Sequence, residues 1–128
     1  MVGSQTNKDG GLANSKSGQS RDRRILESIT RFAVIVTDPA GIITDWNTGA
    51  EHILGWSALE MLGGDTELFF TPEDRENGEI EREMRASLET GYAIDERWHL
   101  KKDGSRFWAS GEMMPLRDEA GQHVGFTK

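Results

Sequence analysis

Few residues of this chain have the types and spacing to do chemistry, and most of them are histidines or carboxylates. His99 stands in the stretch ERWHLKKDGSRFWASG, residues 96–111, where two tryptophans and a phenylalanine are set among charges. An imidazole beside open space can donate to a ligand or bind haem iron; the competing reading is a histidine hydrogen-bonded to a neighbouring strand or to Asp95. His52 and His123 have no metal partner at a suitable spacing and read as surface residues. Asp38 and Asp45 could form an acid/base pair, but turn and cap roles account for them more simply. His52 follows Glu51 on a helix, yet nothing around it has the character of a phosphoacceptor site, and there is no ATP-binding segment. With no cysteine, disulfides, thiolate metal sites, thiol nucleophiles and cysteinyl cofactor adducts are excluded. The motifs GxGxxG, GxxxxGK with Ser or Thr, HExxH and GxSxG do not occur. No catalytic residue and no metal site is assigned, so catalysis by this chain is not expected.

The totals narrow the partners. At 128 residues the chain is long enough for one core. A net charge of −7 speaks against nucleic acid and anionic membrane surfaces, both of which need a basic patch. No apolar run approaches the about 18 residues of a membrane span, and residues 1–20 lack the apolar stretch of a signal peptide. A soluble, cytoplasmic domain is expected.

The elements that must position these residues follow from pattern. Residues 1–20 are rich in Gly, Ser, Asn and Gln and read as a flexible tail. Ile25, Leu26, Ile29 and Phe32 recur at helical spacing, predicting an amphipathic helix over 21–32 that needs an apolar partner. AVIVTD (33–38) and IITDW (42–46) read as strands joined by the turn PAG (39–41). Asn47 caps a helix that Gly55 stops, and Ser57 caps a second short helix, SALEML. Thr71-Pro72-Glu73-Asp74 starts a longer helix that Gly78 weakens and Gly91 ends. Residues 92–101, 105–117 and 123–128 (HVGFTK) read as strands, the last one cut short at Lys128, as in a piece of something longer. Two strands first and three last, with helices between, give an α+β fold: one antiparallel sheet with helices on one face.

The hairpin turn at 102–104 decides what each face of its strands carries. A two-residue Asp-Gly turn pairs odd positions with even ones and sets Trp98 opposite Ala109. A three-residue loop Lys102-Asp103-Gly104, with Gly104 left-handed, pairs odd with odd. In the second register one face holds Trp98, Leu100, Trp108 and Met114, and the other holds Arg97, His99, Phe107, Ala109, Gly111 and Met113.

Three segments, AVIVTDPAGIITDWNTGAEHILGWSALEMLGG, LFFTPEDRENG and RWHLKKDGSRFWASGEMMPLRDEAGQHVGF, together resemble a PAS sensor domain over residues 25–128. The resemblance implies a five-stranded antiparallel sheet in order 2-1-5-4-3, short helices over one face around a small pocket, and residues 33–128 as that domain. It also implies the input module of a longer signalling protein, such as a sensor histidine kinase or a cyclic-dinucleotide enzyme, with an effector domain downstream. The light-oxygen-voltage members share the hairpin K-x-G-x-x-F-W but carry a reactive cysteine in N-C-R-F-L-Q. Here that region reads GGDTELFFTPED, without the cysteine or the flavin-contacting Arg and Gln, so flavin is not expected. Haem-binding members place the ligand histidine on the long helix, and residues 72–90 contain none, so haem is not expected either.

With the three-residue loop, which the family hairpin resembles, the comparison places Ile35, His99, Ala109, Gly111 and Met113 on the pocket side, with Phe107 beside them. Their candidate role is to line a pocket for a small molecule of unknown identity. Trp98, Leu100 and Trp108 then face outward, and with Ile25 and Ile29 of the 21–32 helix they are the candidate homodimer and signal face. The competing reading turns both tryptophans into the core toward Ile80 and Met84. A second competing function is a dimerisation scaffold whose pocket is filled by Phe69, Phe70 or Phe107.

Overall fold

Short β-branched runs become strands wherever a turn residue closes them. In the first hairpin Asp38 Oδ1 accepts from Ala40 N (2.9 Å) and Ile42 N (3.0 Å), which folds β1 (Ile35–Thr37) back onto β2 (Ile43–Trp46). Three strands, β3 (Ala93–Leu100), β4 (Arg106–Arg117) and β5 (His123–Thr127), come at the other end of the chain. The computed structural model describes residues 9–128; residues 1–8 of the expected tail lie outside the described residues. All five strands form one antiparallel sheet in the order β2-β1-β5-β4-β3, as the resemblance implies.

Between the two groups of strands lie helices whose starts are all side-chain capped except the last. Asn47 caps α2 (Thr48–Leu54), Ser57 and Glu60 form a capping box on α3 (Ala58–Met61), Asp65 caps a 3-10 turn (Thr66–Phe69), and Thr71 caps α4 (Pro72–Glu76). The expected long helix is in fact two. Gly78 takes a left-handed φ of 72°, which ends α4 and starts α5 (Glu79–Thr90) without a side-chain cap. The helices cover the inner sheet face, where Ile35, Ile43, Trp46, Leu54, Met61, Phe69, Phe70 and Ile80 make the main core. A second cluster, Ala93, Met113 and Phe126, packs under Met84 and Ala86 of α5.

The second hairpin settles the register. Gly104 N donates to Lys101 O (2.9 Å), Lys101 N donates to Ser105 O (2.9 Å), and Gly104 sits at φ 87°, a three-residue loop with a left-handed third residue. Trp98 therefore pairs with Trp108, and His99 with Phe107. The loop is pinned to α2 and α3: Lys102 N donates to Leu54 O (2.8 Å) and Lys102 Nζ meets Glu60 Oε2 (2.6 Å). That hydrogen bond lowers the pKa of Glu60 below its ordinary value.

The N-terminal helix departs from expectation at both ends. α1 runs Asp9–Ser28, into the part expected as tail, and stops four residues before Phe32, which is 71% exposed. Its end is set by one side chain. Asn47 Nδ2 donates to Leu26 O (3.3 Å), Ile29 O (2.7 Å) and Phe32 O (2.9 Å), drawing off carbonyls as the chain turns toward β1. This contact ties down the end of α1. Asp22, Arg23, Ile25 and Leu26 share a hollow with Val36, Thr44, Leu116 and Thr127. Gly49 of α2 packs so closely beneath that a Cβ there would overlap Phe32 O. Gly49→Ala is accordingly expected to lower stability by about 1–3 kcal/mol, measured by urea unfolding, because the obstructing atom is backbone.

Candidate functional site

The inner face of β3 is unusual for a core. Its inward positions are Ala93, Asp95, Arg97 and His99, so three of four are polar or charged, and α5 adds Glu83 at the position between Ile80 and Ser87 on its buried stripe. These charges close into a ring. Arg97 Nε lies 2.8 Å from Asp95 Oδ1 and 2.8 Å from Glu83 Oε2. Lys128 Nζ, beyond the end of β5, lies 2.8 Å from Glu83 Oε1 and 3.1 Å from Asp95 Oδ2. Two carboxylates are thus clamped by two cations, with Glu83 2% and Asp95 3% exposed. Lys128 Nζ also sits 4.3 Å from the centroid of the Phe70 ring.

His99 belongs to this assembly rather than to open space. Nδ1 is 3.0 Å from Phe69 O and Nε2 is 3.0 Å from Asp95 Oδ2, so both ring nitrogens face acceptors of the fold itself. That is the bonded-histidine reading, and it leaves no nitrogen free for iron or a ligand. The two carboxylates differ in their surroundings. Burial pushes Asp95 up, but the hydrogen bond from His99 and the charge of Lys128 outweigh it and hold Asp95 well below the usual carboxylate range. Burial raises Glu83 to about 7, helped by neighbouring Asp95 and opposed by Lys128. Their hydrogen bonds differ as well: the single N–H of Arg97 Nε is directed at Asp95 Oδ1, and Glu83 Oε2 receives no directed hydrogen bond.

A cavity of about 380 Å³ opens beside the ring. Ile35, His99, Phe107, Ala109 and Gly111 line it, together with Ile53, Leu54 and Phe69. Successive residues of a strand point to opposite faces, yet Trp108 through Glu112 all border this opening. Its mouth therefore runs along the backbone edge of β4. Arg31, Phe32 and Ala33 border the opening together with residues 108–112. Met113 is a correction: it is not at the cavity. It is paired with Ala93 and buried against Phe126 under α5.

On the outer face Trp98 and Trp108 stay 50% and 56% exposed, their rings edge-to-face at 5.5 Å. Ile94 and Met114 extend the same face, and Leu100 is half-buried at its end. The expectation that the N-terminal helix covers the tryptophans is corrected. Ile25 goes with α1, which Asn47 ties down at its end, to a hollow it shares with Val36, Thr44, Leu116 and Thr127, and Trp98 and Trp108 do not border that hollow. Among the described residues, no group of three or more His, Cys, Asp or Glu is placed to hold a metal ion.

The sequence matches the family model described as PAS fold over residues 20–127. Over 104 residues it is 38% identical to Two-component system protein A of Emericella nidulans, a match covering 81% of this chain and 15% of that protein. The chain is thus a small part of that relative's length. Among solved structures it resembles the PAS domain of a protein from Colwellia psychrerythraea, with a TM-score of 0.74, 29% identity, and 85% and 91% of the two chains covered. The PAS domain of a LuxR-family transcriptional regulator from Burkholderia thailandensis, solved in complex with ethanol, gives 0.66 at 17% identity, covering 81% and 91%. An RNA-binding light-oxygen-voltage receptor gives 0.65 at 20% identity, covering 85% of this chain and 31% of that one. These last two bear on the fold alone. The strand order, the capped helices over one face and the family match across most of the chain lead to one conclusion: this chain belongs to the PAS family, whose members are sensory signalling modules and in general not catalysts.

Proposed function

We propose that this domain is the sensory input module of a longer two-component signalling protein, a sensor histidine kinase, in which two copies pair through the outer sheet face. The exposed Trp98–Trp108 pair carries the reading, because a cross-strand pair of tryptophans open to solvent is costly on a monomer and suits a self-complementary, two-fold contact. The cavity takes a small, largely apolar molecule, since Ile35, Ile53, Leu54, Phe69, Phe107 and Ala109 form its walls. Such a ligand acts only through its different affinities for two arrangements of the sheet, relayed to an effector through β5. No covalent cofactor, flavin or haem is assigned, and no nucleic acid or membrane contact. Among the described residues no helix is long and apolar enough to cross a membrane, and we place the domain in the cytoplasm.

A second reading, a pairing scaffold without a ligand, draws on Phe69 and Phe70 filling the inner space and on His99 being bonded within the fold. Sedimentation equilibrium tests the pairing. The expected mass is about twice the single-chain 14.3 kDa, and Trp108→Arg should return it to one chain with little change in stability. A single-chain mass at every concentration removes the proposal. A Soret or flavin band in the absorption spectrum removes the cofactor assignment, and a native mass spectrum free of any small adduct favours the scaffold.

A further inference from the structure

Lys128 closes the ionic ring and is also where β5 meets β1. Its N–H donates to Ile35 O (2.7 Å) and its carbonyl accepts from Ile35 N (2.8 Å), while its ammonium spans Glu83 of α5 and Asp95 of β3. One residue therefore ties the end of β5 to the first strand, the long helix and the floor of the cavity. We infer that the ring Glu83–Arg97–Asp95–Lys128 is a proton-operated latch, in which a proton taken up at Glu83 Oε2 weakens the hold on Lys128 and loosens the end of β5 from β1.

The geometry names the atom. Glu83 Oε2 is buried and lies 2.8 Å from Arg97 Nε without receiving its N–H, which is directed at Asp95, whereas Oε1 carries the contact to Lys128. Protonation turns an ion pair into a charge–dipole contact, and Lys128 keeps only Asp95 and the Phe70 ring. The groups facing Glu83 are Asp95, Arg97 and, through Asp95, His99 on β3, and Lys128 at the end of β5. Asp74 on α4 and Glu79 on its own helix reach it through Arg97. Burial sets the uptake near neutrality, at about 7. Asp95 does not compete for the proton there, because His99 and Lys128 hold it ionised. By linkage, anything that draws Lys128 out of the ring promotes the same proton uptake, and a molecule in the cavity that touches Lys128 changes it too. The latch does not require that a ligand exist, so it stands or falls apart from the ligand assignment.

Amide hydrogen exchange at Ile35 and Lys128, corrected for intrinsic rates, reads the latch directly. Between pH 8 and pH 6 their protection should fall roughly tenfold, the size of one charge-assisted hydrogen bond, while amides of the β3–β4 hairpin hold steady. Glu83→Gln should show the low protection at both values. Protection that is flat in the natural protein, or a pH dependence that survives Glu83→Gln, overturns the latch. Should that variant not fold, carboxyl carbon NMR of the natural protein decides: a Glu83 midpoint near 7 supports the latch, and an ordinary midpoint of 4.5 overturns it.

Discussion

Replacing Asp95 by asparagine is expected to cost about 3–5 kcal/mol of folding stability, seen as a lowered urea midpoint with an unchanged slope. The carboxylate receives Arg97, Lys128 and His99 at 2.8, 3.1 and 3.0 Å, and 3% of the residue is exposed. An amide there offers one acceptor oxygen and presents its own N–H groups to donors. Lys128 is left with Glu83 alone as its carboxylate partner, and Arg97 loses the acceptor of its Nε–H. For a domain whose total stability is about 5–15 kcal/mol, this loss is a large share.

Its partner in the ring should behave differently. Glu83 is raised to about 7, so near neutral pH it already spends much of its time protonated, and Glu83→Gln mimics that form. The cost should be well below that of Asp95→Asn although both carboxylates touch the same two cations. The pH dependence has opposite signs for the two. The contribution of Asp95, whose pKa is lowered, is present above its ordinary 3.8 and is lost as pH falls below that. Glu83 contributes fully below its ordinary 4.5, and that contribution is lost as pH rises through about 7. Global stability measured against pH should therefore be greatest near pH 5 and decline on either side. On the upper side Glu83→Gln should abolish the decline. Loosening of the β5 end on acidification is a local change set against this global gain.

Asn47→Ala is expected to cost about 3–4 kcal/mol and to free α1 from the sheet. The side chain, 2% exposed, accepts from Val34 N (2.9 Å) and Ala50 N (2.8 Å) and donates to three carbonyls between Leu26 and Phe32. Loss of the cap accounts for about 1 kcal/mol, and the buried N–H and C=O groups left without partners account for the rest. Limited proteolysis should then cut within 28–34 in the variant before it cuts the natural chain. Asn47→Asp separates the two roles. It keeps the cap on α2 but has no donor for the carbonyls, so the proteolytic opening should appear while α2 is retained.

Much of this architecture was legible in local chemistry. Asn47, Ser57, Thr71 and the Gly104 turn each stand where a short polar or flexible residue has one structural use, and each has it in the fold. The register followed from the turn, and with it the outward tryptophans. What local pattern did not carry was long-range. Glu83 sits on the apolar stripe of α5 and reads as one more charge on a solvated helix until β3 brings Arg97 and β5 brings Lys128 beside it. Asp95, Arg97 and His99 alternating on one side of a strand were the available sign that this face is charged. A glycine in mid-helix is tolerable by local pattern, and the left-handed turn at Gly78 comes from the fold. The place of α1 depended on carbonyl bonds to Asn47 across about 20 residues, which its apolar stripe could not foretell.

The pairing of two copies through the tryptophan face, as proposed, can be tested by cross-linking. The chain has no cysteine, so a single one introduced by Ser110→Cys, on the exposed outer face of β4 beside Trp108, reports on that face alone. Mild oxidation at micromolar concentration should convert this variant to a covalent dimer, and adding Trp108→Arg should prevent it. If Ser110→Cys stays monomeric while Glu119→Cys, in the exposed β4–β5 turn, cross-links as readily or more so, the outer sheet face is not where the copies meet.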